Sequence, residues 1–236
     1  PDLPSVFPDF EEAGVLAAGH LLRRGFRQFG YLGSQRDIDA NLQLRGFRRV
    51  IRDAGFPCTV HRFARTAVAG QALGWETFVS ELESWIDTWP TPIGLYVCQD
   101  LICRHLIDIC RAKGLHVSQD VAIIGTHNES EICNAPAPSL SSIDLGFGRI
   151  GYRAAAMLDG LMSGGAPAAE PELIPPAELV PRQSTDVLAA NDPLLARHVA
   201  GLVNATPDYT ATQLVLHTTN RARAANVATL TVASTV

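Results

Sequence analysis

The sequence predicts a doubly wound α/β architecture, and three observations carry that expectation. Strand and helix patterns alternate along the chain, which implies parallel strands joined by right-handed helical crossovers. The apolar strand Ile93 to Cys98 ends abruptly in Gln99-Asp100, and Val121 to Gly125 ends in Thr126-His127-Asn128-Glu129. Neighbouring strands that end this way gather polar groups at one carboxyl edge, where open α/β sheets bind small molecules.

Taken in order, Leu3 to Phe7 is a short extended run around Pro4. Asp9 or Glu11 starts a helix with Val15, Leu16, Ala18, Leu21 and Leu22 on one face, stopped by Gly25. Phe26 to Leu32 reads as a strand closed by Gly33. Ile38 to Ala54 is a helix with Leu42, Phe47, Val50 and Ile51 inward, and Cys58 to Phe63 alternates as a strand. Gly74 to Trp85 is helical, Pro90-Thr91-Pro92 is a loop, and Ile93 to Cys98 leads into a helix from Asp100 to Ala112, capped by Asp100 and stopped by Gly114. After Val121 to Gly125 come a Pro- and Ser-rich loop at Ala135 to Ser139, a short strand at Ser141 to Leu145 and a helix at Phe147 to Met162. Glu172 to Arg182, interrupted by Pro175 and Pro176, suits an edge strand. From about Ser184 the character changes. Asp192-Pro193 opens a helix through Val199 and Leu202, and Ala205 to Val236 is dominated by Thr, Ala and Asn with no assigned structure.

The chain's 236 residues suit one large or two small domains, and 47% hydrophobic with 18% charged residues is ordinary globular composition. A net charge of −5 leaves no broad basic surface, so DNA contact is expected to need a separate reader domain. Five cysteines without a C-x-x-C pair point to reduced core thiols and a cytoplasmic protein. No apolar run approaches the ~18 residues of a membrane span, and the first residues lack the form of a signal peptide.

Gly146-Phe147-Gly148-Arg149-Ile150-Gly151 fits the dinucleotide pattern G-x-G-x-x-G, yet the acidic residue expected about 20 positions on is replaced by a loop. No phosphate-binding loop, nucleophile elbow or zinc helix occurs, so neither cofactor nor metal is expected. His127 has no second ligand at metal spacing and reads as a hydrogen-bonding pocket residue. Arg45 is equally a donor to a polyol or carboxylate ligand and a solvated helix arginine. One of Trp75, Trp85 and Trp89 could stack on a sugar ring; core or loop contacts suit the others better.

The residues Ala17-Ala18-Gly19-His20-Leu21-Leu22, Tyr31-Leu32-Gly33, Arg45-Gly46-Phe47, Val97-Cys98-Gln99-Asp100 and Asp120-Val121-Ala122-Ile123-Ile124-Gly125 together resemble, in order, the effector-binding domain of lactose-repressor-type transcription regulators. Asp100…Arg104-His105-Leu106, Asn128-Glu129, Gly151-Tyr152-Arg153-Ala154-Ala155 and Pro181-Arg182-Gln183-Ser184-Thr185-Asp186 are similar to xylose operon regulators. The resemblance covers roughly Leu3 to Leu202. It implies a periplasmic-binding-protein-like fold of two doubly wound parallel-sheet lobes, here with the N-terminal lobe incomplete. On that plan residues 1–183 form the effector-binding domain, with 1–33 and 146–165 in the N-terminal lobe and 34–145 and 166–183 in the other; 184–236 is a linker and an unassigned tail. A C-terminal AraC-type helix-turn-helix would be expected, and 205–236 lacks its pattern.

The resemblance further implies a non-enzymatic sugar sensor, homodimeric when intact, whose effector is a sugar such as xylose and whose DNA contact lies in a reader domain outside this chain. Carried over by position, Arg45 matches an effector-contacting arginine, and Gln99 a polar position beside the helix-capping Asp100. His127 stands where sugar binders commonly have Asp, and Asn128 is expected to take over part of its task. The ligand-binding set is thus Arg45, Gln99, Asp100, His127 and Asn128. The alternatives are a periplasmic solute-binding protein, which shares the fold, and a nucleotide-dependent α/β enzyme.

Overall fold

The structure, a computed structural model, describes residues 3–64, 72–135 and 138–186. The elements are β1 (Val6–Pro8), α1 (Phe10–Arg23), β2 (Phe29–Ser34), α2 (Ile38–Asp53), β3 (Cys58–Phe63), α3 (Ala72–Ile86), β4 (Ile93–Val97), α4 (Asp100–Ala112), β5 (Val121–Thr126), α5 (Ser130–Cys133), β6 (Ser141–Asp144), α6 (Phe147–Met162), β7 (Glu172–Ile174) and β8 (Glu178–Val180), followed by a 3-10 turn at Gln183–Thr185. The expected helix at Asp192 to Leu202 and the tail at 205–236 lie outside the described residues.

Six strands form one sheet in the order β3-β2-β4-β5-β6-β8, parallel except for β8, which runs antiparallel to β6. The chain moves outward from β2 to β3, then returns past β2 to β4. Right-handed crossovers therefore place α2 on one face and α3 and α4 on the other, and α1 packs against α2. Covered on both sides, β2, β4 and β5 are buried at every position, so they read as continuous apolar runs.

The helices earn their places by local chemistry. Asp9 caps α1 by accepting from Glu12 N at 3.0 Å. Where α1 crosses α2, Gly14 faces the carbonyl of Gln43 and Gly46 faces that of Glu11, so a Cβ at either position would collide with backbone. The two helices approach closely because both residues are glycine. On the far face, Trp85 packs against His61 and Trp89, and its Nε1 donates to Thr59 at 3.0 Å. Trp85 and Trp89 thus belong to the core.

Four expectations change. Phe29–Ser34 and Phe10–Arg23, assigned above to the N-terminal lobe, belong to the six-stranded lobe, because β2 pairs with both β3 and β4 and α1 packs against α2. What stands apart is a two-stranded parallel sheet, β1 with β7, and the helix α6, which buries none of its residues. The expected edge strand from Glu172 to Arg182 is two strands in two sheets. Pro175 and Pro176, without N–H donors, occupy the crossing between β7 and β8. Asp100 is not the cap of α4; Gln99 holds that position and Asp100 is the first helical residue.

The supposed linker at Ser184 is also packed structure. Ser184 and Thr185 are fully buried; Ser184 Oγ donates to Ile123 O at 2.6 Å, and Thr185 Oγ1 lies 2.7 Å from Ser141 Oγ and 3.0 Å from His20 Nε2. Arg24 Nε donates to that same His20 nitrogen at 2.8 Å, so His20 is neutral there. Burial, with Arg24 and Arg23 nearby, pushes His20 down to about 3.

Candidate functional site at the carboxyl edge

The register of the parallel strands fixes which residues meet at the edge. Leu32 pairs with Val97, Tyr96 with Ile124, and Thr126 with Ile143. Ser34 closes β2 and Asp144 closes β6, while Gln99 and His127 follow the ends of β4 and β5, so all four belong to the same carboxyl edge of the parallel sheet.

The turn after β5 is strained and firmly held. His127 has φ 104° and Asn128 φ 56°, both left-handed and neither glycine. Three successive backbone N–H groups are tied down: His127 N donates to Ile143 O at 3.0 Å, Asn128 N to Ser142 Oγ at 3.0 Å, and Glu129 N to Asp100 Oδ2 at 2.9 Å. Ser142 Oγ donates in turn to Asp100 Oδ1 at 2.6 Å, and Cys133 Sγ to Oδ2 at 3.3 Å. Gly125 makes room for this carboxylate, since a Cβ there would strike Oδ1. Asp100 is fully buried, and burial raises its pKa against the pull of these hydrogen bonds.

These contacts sort the predicted residues. Asp100 is consumed as the clasp that shapes the turn. Asn128 is also engaged: its Nδ2 donates to Asp144 Oδ2 at 3.3 Å and its Oδ1 accepts from Arg182 Nη2 at 2.8 Å. It is therefore not free to stand in for the carboxylate that His127 replaces. Arg45 turns elsewhere; its Nε donates to Glu11 Oε2 at 2.7 Å on α1, and its side chain is 65% exposed. Gln99 and His127, which follow β4 and β5 at that edge, are the two predicted residues with polar groups to spare. The Gln99 side chain caps nothing and makes no hydrogen bond among the described residues, while the half-buried His127 ring has only Glu129 Oε1 at 3.9 Å.

Two residues missed in the sequence join them. The ring of Phe147, at the start of α6, stacks on His127 with centroids 6.0 Å apart and 29° between planes, and it is 54% exposed. Gln43 is fully buried beneath the edge: its Oε1 lies 3.2 Å from Thr126 Oγ1, while its Nε2 has no partner. Thr126 Oγ1 is also 3.0 Å from the Tyr96 hydroxyl. Gln43 was detectable as the one amide on a helical stripe with Ala40, Leu44 and Phe47. Ser34 Oγ, buried at the end of β2, likewise has no partner. A cavity of about 340 Å³ lined by Ile107, Leu115, Val117 and Pro138 shares none of these residues. Gly148 and Gly151 face open space, so close packing does not demand a glycine at either, contrary to the dinucleotide pattern.

The family of periplasmic binding protein-like domains matches residues 18–185. The chain belongs to that family. Among curated proteins it is 28% identical over 198 residues to the xylose operon regulatory protein of Haemophilus influenzae, covering 83% of this chain and 50% of that one. It is 34% identical over 152 residues to the transcriptional regulator GntR of Pseudomonas aeruginosa, covering 64% and 43%. The chain thus spans about half the length of the curated relatives it matches. Among solved structures, a xylose-binding transcription activator superposes with TM-score 0.74 at 22% identity over 86% of this chain and 53% of that one. A dimeric lac repressor superposes with TM-score 0.66 at 21% identity over 79% and 65%. These likenesses confirm the periplasmic-binding-protein-like fold. Among the described residues no helix is long and apolar enough to cross a membrane.

Proposed function

We propose that this chain is the effector-sensing part of a cytoplasmic, non-enzymatic bacterial transcription regulator, and that its effector is a small sugar, with xylose the first candidate. The observation that carries the reading is the polar carboxyl edge itself, where the Gln99 side chain caps nothing and the exposed Phe147 ring stacks on His127. An amide and an imidazole supply donors and acceptors for vicinal hydroxyls, and an aromatic face suits the apolar face of a sugar ring. The xylose regulator among the relatives supports the choice of sugar. Asp100 and Ser142 act indirectly, by holding the His127 turn. Gln43 replaces Arg45 in the assignment, as a buried amide beneath the site. Closure of the two lobes on the sugar would bias a homodimer whose DNA readers lie outside the described residues.

Isothermal titration of the chain with a panel of pentoses and hexoses tests this. Saturable heat with at least one pentose, weakened about three- to tenfold by Gln99→Ala or His127→Ala and left unchanged by Arg45→Ala, is expected from the loss of one neutral hydrogen bond. A panel without binding contradicts the reading.

A further inference from the structure

The outer face of α2 is a stripe of arginines. Arg45, Arg48, Arg49 and Arg52 recur at i, i+3, i+4 and i+7, all exposed, along about 10.5 Å of helix. Their own counter-charges are few. Arg45 and Arg49 share Glu11, Arg52 has only its neighbour Asp53 at 3.1 Å, and Arg48 has no ion pair among the described residues. Arg27, ahead of β2, adds a further guanidinium over the Phe56 ring at 5.0 Å, three residues past the end of α2. In a chain of net charge −5 this is a local reversal of sign.

The face lacks what a protein partner needs. Protein interfaces are anchored by buried apolar or aromatic side chains. Among the described residues no large apolar side chain is exposed on α1, or on α2 beyond Ile38 at its first turn. Phosphate contacts need no such anchor; they need guanidinium groups at suitable spacing, and they position a protein without reading sequence. A 10.5 Å stretch matches the axial rise of about three phosphates on one strand at 3.4 Å each.

We propose that the α2 face contacts the phosphate backbone of duplex DNA independently of sequence, an auxiliary grip beside the reader domain of the regulator. The proposal rests on the regulator reading above but is tested without sugar. It revises the expectation that this chain has no part in DNA contact.

The test is fluorescence anisotropy of a labelled short duplex of arbitrary sequence, titrated with this chain over roughly a tenfold range of salt. Saturable binding at low salt is expected, with a slope of log K against log salt of about −2 to −3, from −0.9 per phosphate. Arg48→Gln, Arg49→Gln and Arg52→Gln together should flatten that slope by about two or more, while Arg111→Gln, 60% exposed on α4 at the opposite face, should leave it alone. No saturable binding at the lowest salt, or an unchanged slope in the triple variant with its melting curve intact, overturns the proposal. So does displacement of the duplex by polyglutamate as effectively as by unlabelled duplex of equal charge, which would assign the face to an acidic protein. Because no sugar is present, a failure here leaves the calorimetric result for the effector standing, and the reverse holds equally.

Discussion

The six-stranded lobe and the β1-β7-α6 unit are built by the same rules and end in opposite states. In the first, three inner strands are buried at every residue and helices cover both faces. In the second, α6 has an amphipathic sequence yet buries nothing, and Tyr152, Leu158 and Met162 are 74%, 58% and 79% exposed. Helical pattern alone does not create burial; a partner layer does. The proposed site sits where the two meet, with His127 from the covered lobe stacked on Phe147 from the bare helix.

That contrast sets the largest expected effects. Phe47→Ala, at a fully buried position against Tyr31, Tyr96 and Phe29, should cost about 3–5 kcal/mol in urea unfolding, whereas Leu158→Ala on α6 should stay within about 0.5 kcal/mol. Equal costs at the two positions would break the comparison.

Acid should attack the covered lobe through His20, where the strand edge is tied to the strap at Thr185. Its folded pKa, about 3, lies below the 6.5 of the unfolded chain. The unfolded state therefore binds more protons between those values, and stability present above pH 6.5 is lost as pH falls towards 3. The loss is on the order of 3–5 kcal/mol, and His20→Gln should remove most of this slope in urea midpoints taken at successive pH values. Asp100 runs the other way: its raised pKa makes its contribution greatest below its ordinary value of 3.8, and that contribution declines as pH rises through the folded value.

A middle-sized effect belongs to the clasp. Asp100→Ala leaves the Ser142 hydroxyl and the Glu129 N–H without their acceptor and should cost about 1–3 kcal/mol, with increased exchange of the His127 to Glu129 amides. The smallest belongs to Arg45→Ala, an exposed ion pair worth about 0–1 kcal/mol by thermal melting.

The alternation of elements and the polar ends of β4 and β5 were legible because parallel strands buried on both faces must be continuous apolar runs closed by loop chemistry. The membership of β2 was not legible: Phe29–Ser34 looks the same in either lobe, and only pairing with β3 and β4 assigns it. Gln99 and His127 were named as candidates from their position after strands, and the ends of β4 and β5 fall where that reading put them. Asp100 and Asn128 were found by the same rule, but their partners Ser142, Asp144 and Arg182 are distant in sequence, and that separation hid their structural employment. Arg45 was chosen for its guanidinium donors and its position in the resemblance, while Gln43, two residues earlier, faces inward. The arginine stripe was equally visible as spacing, yet net charge averaged it away.

The central claim, that the sugar is held by the carboxyl edge of the six-stranded lobe, is tested most directly by hydrogen exchange of the chain with and without saturating xylose. The account predicts added protection centred on the amides from Gln99 to Cys103, from Thr126 to Glu129 and around Phe147, with little change in α2 beyond Gln43. Protection centred instead on Ile107 to Val117, or none at a concentration that saturates calorimetric binding, would contradict it.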